Sequence, residues 1–190
     1  MEEERREGLE EYAVVLEYLP SGKSYSARSE PLTQIIGEEK FTLLEATLKQ
    51  GASVKAEERV YIGKAERDKI SLIKTRLSYE ELTEGAKKEL PTVISSIIRM
   101  HEQKFVSLFN SAGPLNIREH SLELLPGVGK KYLKAILDAR EEKRFESFAD
   151  MSARVPTLQD PVKLLADRVL LELKGGSRFY ILTKPYTRRY

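Results

Sequence analysis

The chain of 190 residues contains no cysteine and no tryptophan, and only two histidines. Without cysteine there is no disulfide, no thiolate zinc site and no iron–sulfur ligation, which leaves His101 and His120 as the only soft metal ligands. Neither histidine has a partner at zinc-site spacing, so no metal is expected there. No apolar run reaches membrane-spanning length, and the N-terminus lacks the basic, apolar and small-residue order of a signal peptide, so neither insertion nor secretion is expected. A thiol-free chain suits a reducing cytoplasm. Net charge is almost absent as well: 32 basic residues face 30 acidic ones, and a balance of +2 points to no class of partner. Charged residues nonetheless make up 33% of the chain, and a Glu/Lys/Arg-rich composition without thiols is a thermophile tendency.

What is present suits a folded chain of one sizeable domain or two small ones, with 41% hydrophobic residues. Charge is unevenly placed. Residues 1–11 hold six glutamates against two arginines, whereas residues 174–190 hold Lys174, Arg178, Lys184, Arg188 and Arg189 with no acid. The first third reads as strands: YAVVLEYL (12–19), FTLLEATL (41–48), RVYIGK (59–64) and ISLIK (70–74) are rich in Val, Ile, Tyr and Leu and separated by Pro-, Gly- and Ser-bearing loops. Strands in series without intervening helices predict a small barrel, and a five-stranded OB-like barrel hides its edges compactly. Either LTQII (32–36) or RFYIL (178–182) supplies the fifth strand.

From residue 78 the period becomes helical. Ser78 with Glu81 has the form of a capping box, and Ala86, Leu90, Ile94, Ile97 and Ile98 then share one helical face, with Pro91 expected to break it or open a fresh turn. The run FVSLF (105–109) ends at NSAGP (110–114), and IREHSLELL (117–125) is expected to form the next helix. Ser147 with Asp150 repeats the cap pattern, Asp160-Pro161 suits an N-cap and first helical position, and Gly175-Gly176 stops the last helix.

Between two of these segments lies LLPGVGKKYLKAILDAR (124–140). Two glycines one residue apart allow a tight bend, and Pro126 blocks continuation of a preceding helix. Leu133, Ile136, Leu137 and Arg140 then recur at helical spacing, so Gly129 marks a helix start. The N–H groups of such a start have no intrahelical acceptor and lie at the positive end of the helix dipole, which suits a phosphate. Lys130 and Lys131 place further positive charge at the same point.

Leu125, Pro126, Gly127, Val128, Gly129, Lys130 and Lys131 match the hairpin of the helix-hairpin-helix family in order, and Arg140 falls at its helix-ending basic position. FESFADM (145–151) resembles the segment joining two such hairpins in tandem, although the later corner VPTLQDP (155–161) has no glycine and reads as a scaffold copy. Leu133 departs from the family's usual alanine. The resemblance implies binding of nucleic-acid backbone without base reading through Gly127, Val128, Gly129, Lys130 and Lys131, extended by Lys134, and a monovalent cation on the carbonyls of Leu125 and Gly127. With the barrel, the helical middle and HSLELLPGVGKK (120–131), nearly the whole chain resembles an archaeal family of unknown function described as predicted RNA- or nucleic-acid-binding proteins.

These readings combine into an α+β expectation. Residues 1–77 form an OB-like β-barrel, 78–114 a helical connector, 115–176 an all-helical tandem helix-hairpin-helix domain with a degenerate second copy, and 177–190 a strand and basic tail. Eight basic residues against four acids between Lys49 and Arg76 make Tyr25, Tyr61 and Lys64 candidates for a base-stacking surface, with a core role for Tyr61 as the alternative. Arg178, Tyr180, Tyr186, Arg188, Arg189 and Tyr190 extend the basic surface or close the sheet. Asp150 lies near the spacing of a helix-hairpin-helix glycosylase acid, but its context is a helix cap. The expected activity is non-enzymatic, cofactor-free binding of nucleic acid, RNA ahead of DNA. Alternatives are a repair-associated DNA factor, a glycosylase-like enzyme and a protein-docking module.

Overall fold

The computed structural model describes residues 10–22, 30–158 and 160–187. Tyr25, Arg188, Arg189 and Tyr190 lie outside these residues. Two compact units divide the chain, Met1–Val93 with Glu172–Tyr190 and Ile94–Leu171.

In the first unit, β1 (Tyr12–Leu19), β2 (Leu32–Gly37), β3 (Leu43–Leu48), β4 (Arg59–Tyr61) and β5 (Ile70–Arg76) form one antiparallel sheet in the order β4-β1-β2-β3-β5. The central strands do not alternate. Ala13, Val14, Val15 and Leu16 are all buried, as is every residue of β2, the pattern of a sheet covered on both faces. On one face Ala13, Val15, Ile35 and Ala46 pack with Val54, Val60, Ile62 and Ile70. Glu17 and Gln34 instead receive the start of α1 (Glu84–Met100): Thr83 donates its N–H to Gln34 Oε1 at 3.0 Å and its hydroxyl to Glu17, while its Oγ1 accepts the Ala86 N–H at 3.1 Å. A Cβ on Gly85 would lie 2.3 Å from the Glu17 carboxylate, so a larger residue there would push that carboxylate aside.

Four more helices follow among the described residues: α2 (Glu102–Ser111), α3 (Lys130–Glu142), α4 (Phe148–Arg154) and α5 (Pro161–Leu173). Local signals place several ends. Ser147 Oγ accepts the Asp150 N–H at 3.0 Å, Asp160 Oδ1 accepts the Val162 N–H at 3.0 Å, and Gly175 and Gly176 adopt positive φ after α5. Pro91 does not break α1, which runs through it unbroken. The capping box of Ser78 and Glu81 opens a single 3-10 turn, Tyr79–Glu81, and Thr83 caps the helix proper.

The OB-like barrel is not what the chain forms. Among the described residues β4 pairs only with β1 and β5 only with β3, so the sheet is open. LTQII does supply the fifth strand, as β2, but in the middle of the sheet, where it closes nothing. RFYIL closes nothing either, because the N–H groups of Ile181, Leu182 and Thr183 bind the carboxylate of Glu172 at 2.9, 3.1 and 2.8 Å. Donors held by a side chain cannot join a strand ladder.

The all-helical tandem layout is corrected as well. Residues 117–125 form no α-helix; a 3-10 turn, Ser121–Leu124, precedes the corner. Asn116 Oδ1 accepts the N–H groups of Arg118 and Glu119 at 2.8 and 3.0 Å, Leu115 N–H donates to the Glu119 carbonyl at 2.8 Å, and Pro114 bridges His120. These local bonds take the donors that a helix would use. The later corner joins the seven-residue α4 to α5 without a glycine bend. Helices and strands do not fall into one domain each, since Glu172–Tyr190 belongs with the sheet.

Candidate nucleic-acid interface

Leu125 to Val128 form a tight turn in which the Val128 N–H donates to the Leu125 carbonyl at 3.0 Å. Proline at its second position and Gly127 at its third, with φ +88°, are the signature of a type II turn, which needs positive φ there. Gly129 is then the N-cap of α3, with extended backbone, and the first helical bond runs from the Leu133 N–H to the Gly129 carbonyl at 2.9 Å. The N–H groups of Gly129, Lys130, Lys131 and Tyr132 precede that bond, and a helix offers them no acceptor of its own. Gly127 and Gly129 are exposed, and a Cβ added to Gly129 would meet nothing within 4 Å. Thr83, Ser147 and Asp160 supply side-chain caps for α1, α4 and α5; α2 and α3 have no such cap, but the first turn of α2 holds Glu102, whereas that of α3 holds no acid.

The bend is braced from behind. Val128 and Leu125 are buried, and the Arg168 side chain of α5, only 5% exposed, donates to the Leu124 carbonyl at 3.1 Å. At the far end of α3, Arg140 donates to the carbonyls of Phe109 and Ala112 at 2.9 and 2.7 Å, so the expected helix-ending basic residue anchors α3 to the end of α2. Arg154 of α4 donates to the carbonyls of Ala139 and Lys143, the latter at 2.7 Å. Ahead of the bend, His120 Nδ1 accepts the Leu122 N–H at 3.1 Å and Glu123 accepts the His120 N–H at 2.9 Å. Burial, reinforced by the nearby Arg140 charge, holds the His120 pKa below its ordinary value. The Lys130 ammonium, then the His120 N–H, holds the Glu123 carboxyl below its own.

The lysines diverge. Lys130 Nζ leans back to Glu123 at 2.8 Å and to the Arg118 carbonyl at 3.4 Å, although 76% of its side chain remains exposed. Such an exposed pair is worth about 0–1 kcal/mol, so an arriving phosphate can exchange for it. Lys131 is exposed and forms no ion pair among the described residues. Lys134 pairs with Asp138 at 2.6 Å along α3. The structure thus gathers Gly127, Gly129, Lys130 and Lys131 at one bend, while Val128 lends its N–H to the turn and its side chain to the core. The carbonyl of Leu125, expected to hold a monovalent cation with that of Gly127, already accepts the turn bond.

Tyr61 and Lys64 belong to the sheet unit. The Tyr61 ring stands edge-on to Tyr12 at 5.2 Å, its hydroxyl accepts the Ala65 N–H at 3.1 Å, and Arg59 lies 3.7 Å over the Tyr12 ring. That ring is therefore engaged on its own strand pair. Lys64 stands at a mostly apolar cleft of about 300 Å³ with Leu44, Ile62, Arg67 and Ile73. Asp150 is a structural residue: its carboxylate accepts the Glu146 N–H at 3.1 Å and pairs with Arg154 at 3.2 Å, and both hold its pKa below the ordinary carboxylate range. Among the tail residues, Tyr186 lies 5.8 Å under Arg76, which donates to the Lys184 carbonyl at 2.7 Å.

Arg168 and Glu123 escaped sequence reasoning. A charged residue inside the apolar stripe of Val162, Leu165 and Val169 was the available sign for Arg168. Among the described residues no helix is long and apolar enough to cross a membrane, and no cluster of His, Asp or Glu could hold a metal ion.

A family model described as protein of unknown function (DUF655) matches residues 9–184. The uncharacterized protein MJ0038 of Methanocaldococcus jannaschii is 40% identical over 178 residues, which cover 93% of this chain and 81% of that protein. The crystal structure of Af1531 from Archaeoglobus fulgidus superposes with a TM-score of 0.87 at 45% identity, over 92% of this chain and all of that one. With the match spanning both the sheet and the glycine bend, the chain belongs to the DUF655 family of uncharacterized archaeal proteins.

Proposed function

We propose that the chain binds a polynucleotide, RNA ahead of DNA, by seating one backbone phosphate on the bend at Gly127 to Lys131, with no covalent chemistry. One observation carries this reading: α3 begins with no capping side chain and no acid in its first turn, behind an open glycine and beside Lys131, which forms no ion pair among the described residues. An uncapped helix start attracts anions through its N–H groups and its dipole, and the two lysines would otherwise oppose that dipole. A phosphodiester relieves both. Because amides and ammonium groups reach only the backbone, binding is sequence-tolerant and weakens with salt.

The test is a competition binding assay with single-stranded and duplex RNA and DNA across a salt series. Reversing both charges in Lys130→Glu/Lys131→Glu should weaken binding at least about tenfold, and Lys131→Ala should lower the salt slope by about one. Equal binding by wild type and the double variant, or none by wild type, defeats the proposal.

A further inference from the structure

Beside the bend, residues 114–120 form a loop whose tip is Ile117, a fully exposed β-branched side chain. Solitary exposed apolar residues are ordinary. This one is held out by a rigid frame: Asn116 Oδ1 takes the N–H groups of Arg118 and Glu119, Leu115 and Asn116 donate to the Glu119 carbonyl, and Ser121 donates to the Gly113 carbonyl through both N–H and hydroxyl. Ile117 is also stiff in itself, because branching at Cβ restricts χ1. Charges of both signs lie near it: Arg118 follows directly, Glu119 comes next, and the Lys130 ammonium reaches the Arg118 carbonyl at 3.4 Å, which brings the loop beside the bend.

We infer that Ile117 is a wedge that enters a stacked base step of the polynucleotide whose phosphate sits on the bend. The inference rests on the phosphate-holding reading and adds the substrate class: a paired, stacked segment, best where stacking is already interrupted, instead of a flexible single strand. A hydrogen-bonded loop with an aliphatic tip next to Arg118 suits this, because inserting an apolar side chain at a base step unstacks it, and the backbone contacts alongside offset that cost. A lipid surface or an apolar protein groove would favour a broader apolar patch than Ile117 with the less exposed Leu115, set among Asn116, Arg118 and Glu119. The wide, shallow minor groove of an RNA duplex leaves a base step open to such a tip.

Duplexes of RNA and of DNA, each with a one-nucleotide bulge flanked by 2-aminopurine, test this with the full chain. Wild type should raise the fluorescence as the probe unstacks. Ile117→Ser should abolish the rise and weaken bulged-duplex binding about tenfold, with the salt slope unchanged, while Ile117→Leu restores both. Lys131→Glu should weaken every polymer alike. If Ile117→Ser keeps the affinity and the rise, or weakens single strands and duplexes equally, the wedge is wrong while the phosphate seat stands, and the tip belongs to a protein-facing surface. If wild type binds none of the probes, the seat itself fails and takes the wedge with it.

Discussion

Two amide clusters of the sheet unit and the one at the start of α3 are treated in opposite ways. In the sheet unit a glutamate sits on each cluster: Glu10 accepts the N–H groups of Glu39, Lys40 and Thr42 at 2.7, 3.0 and 3.1 Å, and Glu172 accepts those of Ile181, Leu182 and Thr183. Both glutamates are at most 9% exposed, so the anion and its donors saturate each other inside the fold. In the helical unit the amides ahead of Leu133 open on glycine and lysine, with no carboxylate of their own. Converging N–H groups form an anion site wherever they occur. Where the chain supplies the anion the result is a brace; where it does not, the amides meet no carboxylate, as the proposed phosphate seat requires.

The largest expected effect removes an internal anion. Glu172→Ala leaves three inward amides without their acceptor and should destabilise the protein by about 3 kcal/mol, since unsatisfied buried donors cost 1–3 kcal/mol each and partial rehydration offsets some of that. Denaturant unfolding reads this as a lower midpoint. A change under about 0.5 kcal/mol would mean that the carboxylate is not what holds residues 181–183.

The second prediction turns the open site into the closed kind. Gly129→Asp places a carboxylate at an N-cap whose extended backbone and empty surroundings accept a side chain. Stability should rise by roughly 0.3 kcal/mol while polynucleotide binding falls at least about tenfold, because the internal carboxylate takes the amides and repels phosphate. A stabilised variant that binds as wild type would break the contrast between the clusters.

How much of this could be read in advance follows from how far apart the partners lie. Ser147, Asp160, Gly129 and the Gly175-Gly176 stop act on neighbours within a turn, so their residue types announce them. The helix expected over 117–125 fails for a local reason that apolar spacing does not register: the side chains of Asn116 and His120 bind adjacent backbone N–H groups. The barrel fails at longer range, because closure needs β4 to pair with β5, and nothing within either strand records whether they meet. Arg168 and Leu124 are separated by 44 residues, and only the buried setting of a charged side chain hints that it must find such a partner. At the bend itself, the glycines, proline and lysines were all legible, while the retreat of Lys130 toward Glu123 depended on the shape of the preceding turn.

The smallest effect concerns a third kind of acceptor. His120 holds the Leu122 N–H through a neutral ring nitrogen, and that bond requires Nδ1 to be unprotonated. Its folded pKa lies below the ordinary 6.5, chiefly through burial, with Arg140 and Lys130 adding repulsion against the opposing pull of Glu123. Above 6.5 the ring is neutral in both states and its contribution is complete. As pH falls through 6.5 the unfolded chain takes up the proton first, so stability declines, and the decline levels off below the folded pKa. Protection of the Leu122 amide, taken relative to its intrinsic exchange rate, should therefore fall below 6.5, and imidazole titration by NMR should place His120 under 6.5. A His120 titrating at or above that value would remove the distinction between a charged and a neutral acceptor.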